Sequence, residues 1–425
     1  MTNPELLQLL RSEVIPAIGC TEPIAVALCT ARAKELLGAE PDSITVHLSK
    51  NVYKNALAVG IPNTGMTGLP IAIALGATVG KSEYMLEVLR DATPEAVAYA
   101  KAYMLRVPAT IKVDYEAPSL LYIHVEVSKE GQTAQATIMD EHTHFVEPGT
   151  RNQEASDISE IDTTANTLSL RRVYDFATSV DTTELTFLLA GAEMNTAAAE
   201  TSFADQYGHG LGRLLRANTL TATPEMEKLF GNTLFTKIIS YTCGACDARM
   251  SGAMVQVMSN SGSGNQGISC SIPVYLYAKE NNCTEEQTLR ALALSNLTVI
   301  YIKQSLGRLS ALCGCVVAAT GSAAGITYLM GGTYDEITYA IKNMIANISG
   351  MICDGAKPGC ALKVTSGVAT AIFSAYLAMQ HSYADSTEGI VEDDIDRTIR
   401  NLTRIGHDGM KVTDDLILDI MTHKQ

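Results

Sequence analysis

The sequence predicts an α+β protein in two parts: an N-terminal α/β domain with a small antiparallel sheet, then a large all-helical domain. Three observations support this. Apolar residues alternate with a period of two only in Ser43–Leu48 and between Thr110 and Val146. Almost everything beyond residue 165 follows the helical period instead. Between the two, residues 147–166 (EPGTRNQEASDISEIDTTAN) are polar and turn-rich, so domains at 1–150 and 165–425 are expected.

Size and charge narrow the function classes. A chain of 425 residues with 47% hydrophobic and 18% charged residues can bury sizeable cores. A formal net charge of −15 argues against nucleic acid or an anionic membrane as partner and for a cytoplasmic protein. The start, MTNPELLQLLRSEV, has acids early and no apolar signal core, so no export signal is expected. Ten cysteines in such a chain read as thiols or metal ligands, not disulfides. Ser310–Tyr334 holds no charged residue, but its five glycines and flanking cysteines point to a buried core helix, not a membrane span.

Taken in order, residues 4–15 have helical apolar spacing at Leu6, Leu7, Leu10 and Val14. Gly19-Cys20-Thr21-Glu22-Pro23 then opens a helix running to Leu37, with Thr21 as the expected N-cap. Cys20 would sit at the positive end of that helix, where a thiolate is favoured, and is a candidate catalytic group. Cys29, mid-helix, reads as core. The loop Gly60–Gly68 offers Asn63, Thr64 and free backbone N–H groups to a carboxylate, or is a plain turn. Residues 69–106 read as helices and Thr110–Val146 as an antiparallel meander, with His142 and His144 at a solvated or satisfied strand end.

In the second part, Gly208–Gly212 separates two helices, and Cys243-Gly-Ala-Cys246 reads as packing because no βαβ pattern surrounds it. Ser261-Gly-Ser263-Gly-Asn265-Gln266-Gly267 before an apolar helix makes an anion-binding nest, so Ser261, Ser263, Asn265 and Gln266 are candidate substrate ligands. Residues 284–308 and 363–380 read as helices, and Val391–Ile420 as an acidic amphipathic tail, packed or at an oligomer contact.

The chemistry concentrates between Leu312 and Cys360. Cys313-Gly-Cys315 opens a helical hairpin, and Cys353-Asp-Gly-Ala-Lys-Pro-Gly-Cys360 closes it in a Gly/Pro loop. A hairpin brings its ends together, so these thiols can meet. Three thiolates around such a loop suit an iron–sulfur cluster with one open iron, and less well a zinc site.

Together GCTEP, SNSGSGNQG, CGC…GSAAG and CDGAKPGC resemble the L-cysteine desulfidase family, relatives of the iron–sulfur L-serine dehydratases, over nearly the whole chain. The resemblance implies a [4Fe-4S] cluster on Cys313, Cys353 and Cys360, with Cys315 as the alternative to Cys313. The short spacing of CDGAKPGC favours the desulfidase branch over the serine dehydratases. It also implies β-elimination from a small amino acid without pyridoxal phosphate. Cys20, activated at its helix start, is the candidate base for the Cα proton, with Lys357 in reserve. Ser261, Ser263, Asn265, Gln266, Asn63 and Thr64 would hold the substrate carboxylate. A homodimer is the assembly allowed for. Two rivals stand beside this: a pyridoxal-phosphate lyase using Lys303, Lys357 or Lys363, and a non-catalytic helical binding protein or carrier.

Overall fold

The computed structural model describes residues 1–147, 168–221, 223–307 and 309–424. The linker expected at 147–166 therefore lies almost wholly outside the described residues.

Helix α1 (Asn3–Glu13) starts on a capping box, in which Thr2 and Glu5 satisfy each other's backbone N–H groups. Strand β1 (Pro16–Ile18) leads to α2 (Thr21–Leu37), which ends where Gly38 takes a left-handed φ of 73°. Then come β2 (Ser43–Ser49), α3 (Lys50–Ala56), the hairpin β3 (Gly60–Ile61) and β4 (Met66–Thr67), α4 (Leu69–Thr78) and α5 (Pro94–Arg106). Strands β5 (Thr110–Asp114), β6 (Tyr122–Lys129), β7 (Gln132–Met139) and β8 (Phe145–Val146) complete a sheet of order β5-β2-β6-β7-β8.

The expected all-antiparallel meander holds for β6, β7 and β8 only. Strand β5 lies at the far side of β2 and runs parallel to it. The reason is the connection: three helices separate β2 from β5 and return the chain in the same direction, as in a crossover. Ile44, Val46, Leu48, Ile123 and Val125 share one core with α2 and α4.

The rest is helical. Helices α6 (Leu170–Ser179), α7 (Thr186–Ala204), α8 (Leu211–Thr221), α9 (Pro224–Leu229) and α10 (Leu234–Met250) precede the short strand β9 (Gln256–Met258). Helices α11 (Gly264–Glu280), α12 (Glu285–Leu306), α13 (Gly314–Leu329), α14 (Tyr334–Ile348), α15 (Cys360–Met379), α16 (Ile395–Arg404) and α17 (Lys411–Thr422) follow. The charge-free segment is α13, buried along Cys315–Thr327 between α11, α12, α14 and α15. Helix α15 is long and apolar enough to cross a membrane, yet it packs on α10, α13 and α14.

Three links tie the N-terminal residues to this helical mass. Strand β1 pairs antiparallel with β9, Ala17 opposite Val257. Leu6 and Leu10 of α1 and Val14 just after it, with Cys20 and Val59, join the helical core instead of the sheet core. The C-terminal helix α17 returns to α3, where Lys54 pairs with Asp414 and Lys50 with Asp415. Lys54 and Asp414 are both buried, and Asn51 also donates to Asp414.

Candidate active site

Four helix beginnings meet at one cavity. Cys20 is the N-cap of α2, Ser263 of α11 and Cys313 of α13, while Cys360 is the first residue of α15. All four line a space of about 100 Å³, together with Glu22, Asn55, Arg249, Asn265, Gln266, Cys315 and Cys353. A helix start carries a partial positive charge, so four of them together favour an anionic occupant. Its size admits a small molecule.

The expected hairpin is present as α13 and α14, and a β-bridge between Leu312 and Ile352 closes its mouth. The Cys313 N–H donates to Met351 O at 2.9 Å and the Cys353 N–H to Ala311 O at 2.6 Å, which brings the two cysteine segments side by side. Beyond Cys353, Gly355 turns the loop with φ +83°; a Cβ there would lie 2.5 Å from the Lys54 carbonyl oxygen. The sequence of this loop needs that glycine.

All ten cysteines are free thiols. The sulfurs of Cys313 and Cys315 are 3.3 Å apart, and the hydrogen bond between them draws Cys313 below a free thiol despite burial, helped by Lys363 and Lys357. Burial pushes Cys353 up to about 11 and raises Cys360 as well. Among the described residues no three His, Cys, Asp or Glu side chains stand close enough to hold a single metal ion. An iron–sulfur cluster asks for something different: thiols spread around a cavity several ångströms wide. Cys313, Cys315, Cys353 and Cys360 meet that description in number, softness and placement.

Cys20 is at its helix start, but not in the state expected from its position. It, rather than Thr21, is the N-cap. Its thiol donates to Glu22 Oε2 at 3.2 Å, and burial followed by the Glu22 charge pushes it well above an ordinary thiol. Desolvation and a like charge outweigh the helix end, so Cys20 rests protonated. Glu22 itself accepts further bonds from Thr21 Oγ1 (3.1 Å) and Asn55 Nδ2 (3.1 Å). Although burial works against it, His142, Cys20 and Arg249 bring the carboxylate below its usual range. His142 is thus no solvated strand end: it is buried, with Nε2 4.0 Å from Glu22 Oε1.

The other sequence-predicted residues divide. Ser263, Asn265 and Gln266 line the cavity, although the Ser263 hydroxyl is used to cap the Gln266 N–H. Ser261 does not line it; its hydroxyl donates to Asn260 Oδ1 at 2.8 Å within the turn. Asn63 and Thr64 lie away from the lining, bonded to Ala92 O and Ile61 O, so their loop is a structural turn. Lys357 also lies off the lining, 2.5 Å from Asp354 and bonded to the carbonyls of Asp354 and Gly355. Lys363 is held by Ile352 O and Asp354. Cys243 is buried in α10, as expected of packing, and Cys246 beside it lies near enough to Cys360 to feel its charge.

Sequence reasoning missed Arg249, Asn55 and the role of Glu22. Arg249, in the last turn of α10, has the form of a solvated charge complementing the helix dipole. It is 1% exposed.

Fold and cavity together define a mainly helical protein with a small, thiol-lined cavity at the meeting of four helix starts. The model of the serine dehydratase alpha chain family matches residues 83–419, and the chain belongs to that family. It is 56% identical over 426 residues to a UPF0597 protein of Phocaeicola vulgatus, covering 99% of this chain and 98% of the relative. Similar proteins of the same designation occur in Porphyromonas gingivalis (48% over 435 residues, 100% and 99% covered) and Oleidesulfovibrio alaskensis (42% over 434 residues, 100% of both).

Proposed function

We propose that the protein is a [4Fe-4S]-dependent lyase that converts L-cysteine to pyruvate, ammonia and sulfide in the cytoplasm. The observation that carries this is the meeting of Cys313, Cys353 and Cys360 with Cys20 at one small cavity, in a member of the serine dehydratase alpha chain family. Cys313, Cys353 and Cys360 would hold the cluster, with Cys315 beside Cys313. When bound, the cluster supplies a Lewis-acidic iron for the departing sulfur.

The chain's own residues manage the proton. Cys20 and Glu22 hold one proton between them. Cys20 takes the Cα proton of the substrate as it hands its own to Glu22 Oε2. The Cα–H electron pair becomes the Cα–Cβ double bond, and sulfide departs with the Cβ–S pair. The aminoacrylate released tautomerises to an imine, which water hydrolyses to pyruvate and ammonia. Asn55 and His142 hold the Glu22 carboxylate in place.

L-Serine is the second substrate to consider, because the matching family is that of a serine dehydratase. Cysteine is preferred because a thiolate leaves far more readily than hydroxide, which needs a proton delivered to it. The carboxylate within the cysteine loop, Asp354, is engaged by Lys357 and Lys363. Anaerobically reconstituted protein should form pyruvate and sulfide from L-cysteine with a kcat/KM above that for L-serine. An equal or higher value for serine moves the assignment to a serine dehydratase. No pyruvate from either, with the cluster intact, removes the lyase reading.

A further inference from the structure

Arg249 is a buried cation in no ion pair among the described residues. Its Nη1 donates to Asn265 Oδ1 at 3.0 Å, whereas Nε and Nη2 have no hydrogen-bond partner. Burying an unsatisfied guanidinium is costly, and such a group persists where something else repays the cost. The surroundings leave room for it deliberately: a Cβ on Gly264 would lie 2.3 Å from Arg249 Nε, so only glycine lets the guanidinium lie against the start of α11. Asn265 fixes its orientation, and Asn265 Nδ2 is in turn fixed on Met250 Sδ at 3.2 Å.

Two unsatisfied acceptors line the same cavity. Asn55 Oδ1 and Gln266 Oε1 are buried without a partner, and their amide orientations are set by bonds to Glu22 Oε1 and Asn260 O. Free donors on a cation and free acceptors beside a carboxylate are the complement of a zwitterion.

We propose that Arg249 binds the α-carboxylate of the substrate through its two free N–H groups, while Asn55 and Gln266 accept from its ammonium group. This deepens the lyase reading, on which it rests for the identity of the substrate. It makes the cavity selective for small α-amino acids, with the β substituent left facing the cysteines. A planar fork to a carboxylate is the arrangement Arg provides and Lys does not. A cavity carboxylate also completes the charge that the protein leaves open.

The test is calorimetric binding of L-cysteine, 3-mercaptopropionate and cysteamine to anaerobic holoenzyme, before pyruvate is considered. Wild type should bind the two carboxylates about 100-fold more tightly than cysteamine, the scale of a desolvated charge pair. Arg249→Met should abolish that difference, keep the visible absorption and raise Tm, since a structural arginine would lower Tm on removal. Arg249→Lys, which keeps the charge, should still lose about 10-fold in carboxylate binding. Undiminished carboxylate preference in either variant overturns the proposal, as does a wild type that binds cysteamine equally well or binds none of the three. Carboxylate-selective binding without pyruvate formation supports the Arg249 anchor while removing the lyase assignment.

Discussion

The thiol of Cys20 donates to the carboxylate of Glu22 across 3.2 Å, in the wall of the cavity that also holds Cys313, Cys353 and Cys360. A lone thiolate at a helix start would be a ready base. A protonated thiol tied to a buried carboxylate becomes one only through its partner. Cys20→Ala should therefore retain iron and absorption while kcat falls by about 10² or more, the scale of a lost acid–base group. Glu22→Gln should produce a similar fall, since the thiol then has nowhere to send its proton. Full activity in either variant contradicts the pairing, and loss of iron in Cys20→Ala would make Cys20 a ligand instead.

The same carboxylate gives a pH signature. Its folded-state pKa lies below the ordinary value of 4.5, so its stabilising contribution is present above that value and is lost as pH falls through the lower folded one. Thermal melts of wild type and Glu22→Gln should differ most above pH 4.5 and converge in more acidic solution. A difference that grows towards acid would reverse the sign and refute the assignment.

Lys54 and Asp414 hold α17 against α3, beside the cysteine loop. Their side chains are 2% and 11% exposed, and Lys54 Nζ also lies 3.5 Å from the Cys353 carbonyl oxygen. Asp414→Ala strands a buried ammonium and should cost about 3–5 kcal/mol of stability by denaturant titration. Lys54→Met combined with Asp414→Leu should recover most of it, because the charge is then gone from both sides. Equal losses in the single and double variants would show the pair to be unimportant.

Gly355 turns the cysteine loop at positive φ against the Lys54 carbonyl. Gly355→Ala should thus lower Tm and loosen cluster retention together, whereas Gly38→Ala, also at positive φ but with open space around it, should lower Tm alone. Unchanged iron content in Gly355→Ala would separate the loop from the cluster.

What was legible in the sequence follows from how local each signal is. The Gly/Pro loop between Cys353 and Cys360, the nest at Ser263–Gln266 and the helix start at Cys20 are written in neighbouring residues, and all reach the cavity. Asn63 and Thr64 carry the same local signature, yet their polar groups are spent on their own turn. Local chemistry cannot tell these cases apart; only the packing of distant helices does. Arg249, Asn55 and His142 became legible only through contacts far along the chain, such as His142 meeting Glu22. The parallel pairing of β5 with β2 was hidden for the same reason, since periodicity marks a strand but not its neighbour.

Cys313, Cys353 and Cys360 as holders of an iron–sulfur cluster are tested most directly by iron and acid-labile sulfide analysis, with visible spectra, on anaerobically purified wild type and single Cys→Ala variants. Wild type should be brown, with iron and sulfide in equal amounts. Absorption should be lost in Cys313→Ala, Cys353→Ala and Cys360→Ala, and retained in Cys243→Ala and Cys246→Ala. A colourless wild type that takes up no iron on reconstitution, or absorption that survives all three of the first substitutions, would contradict that role.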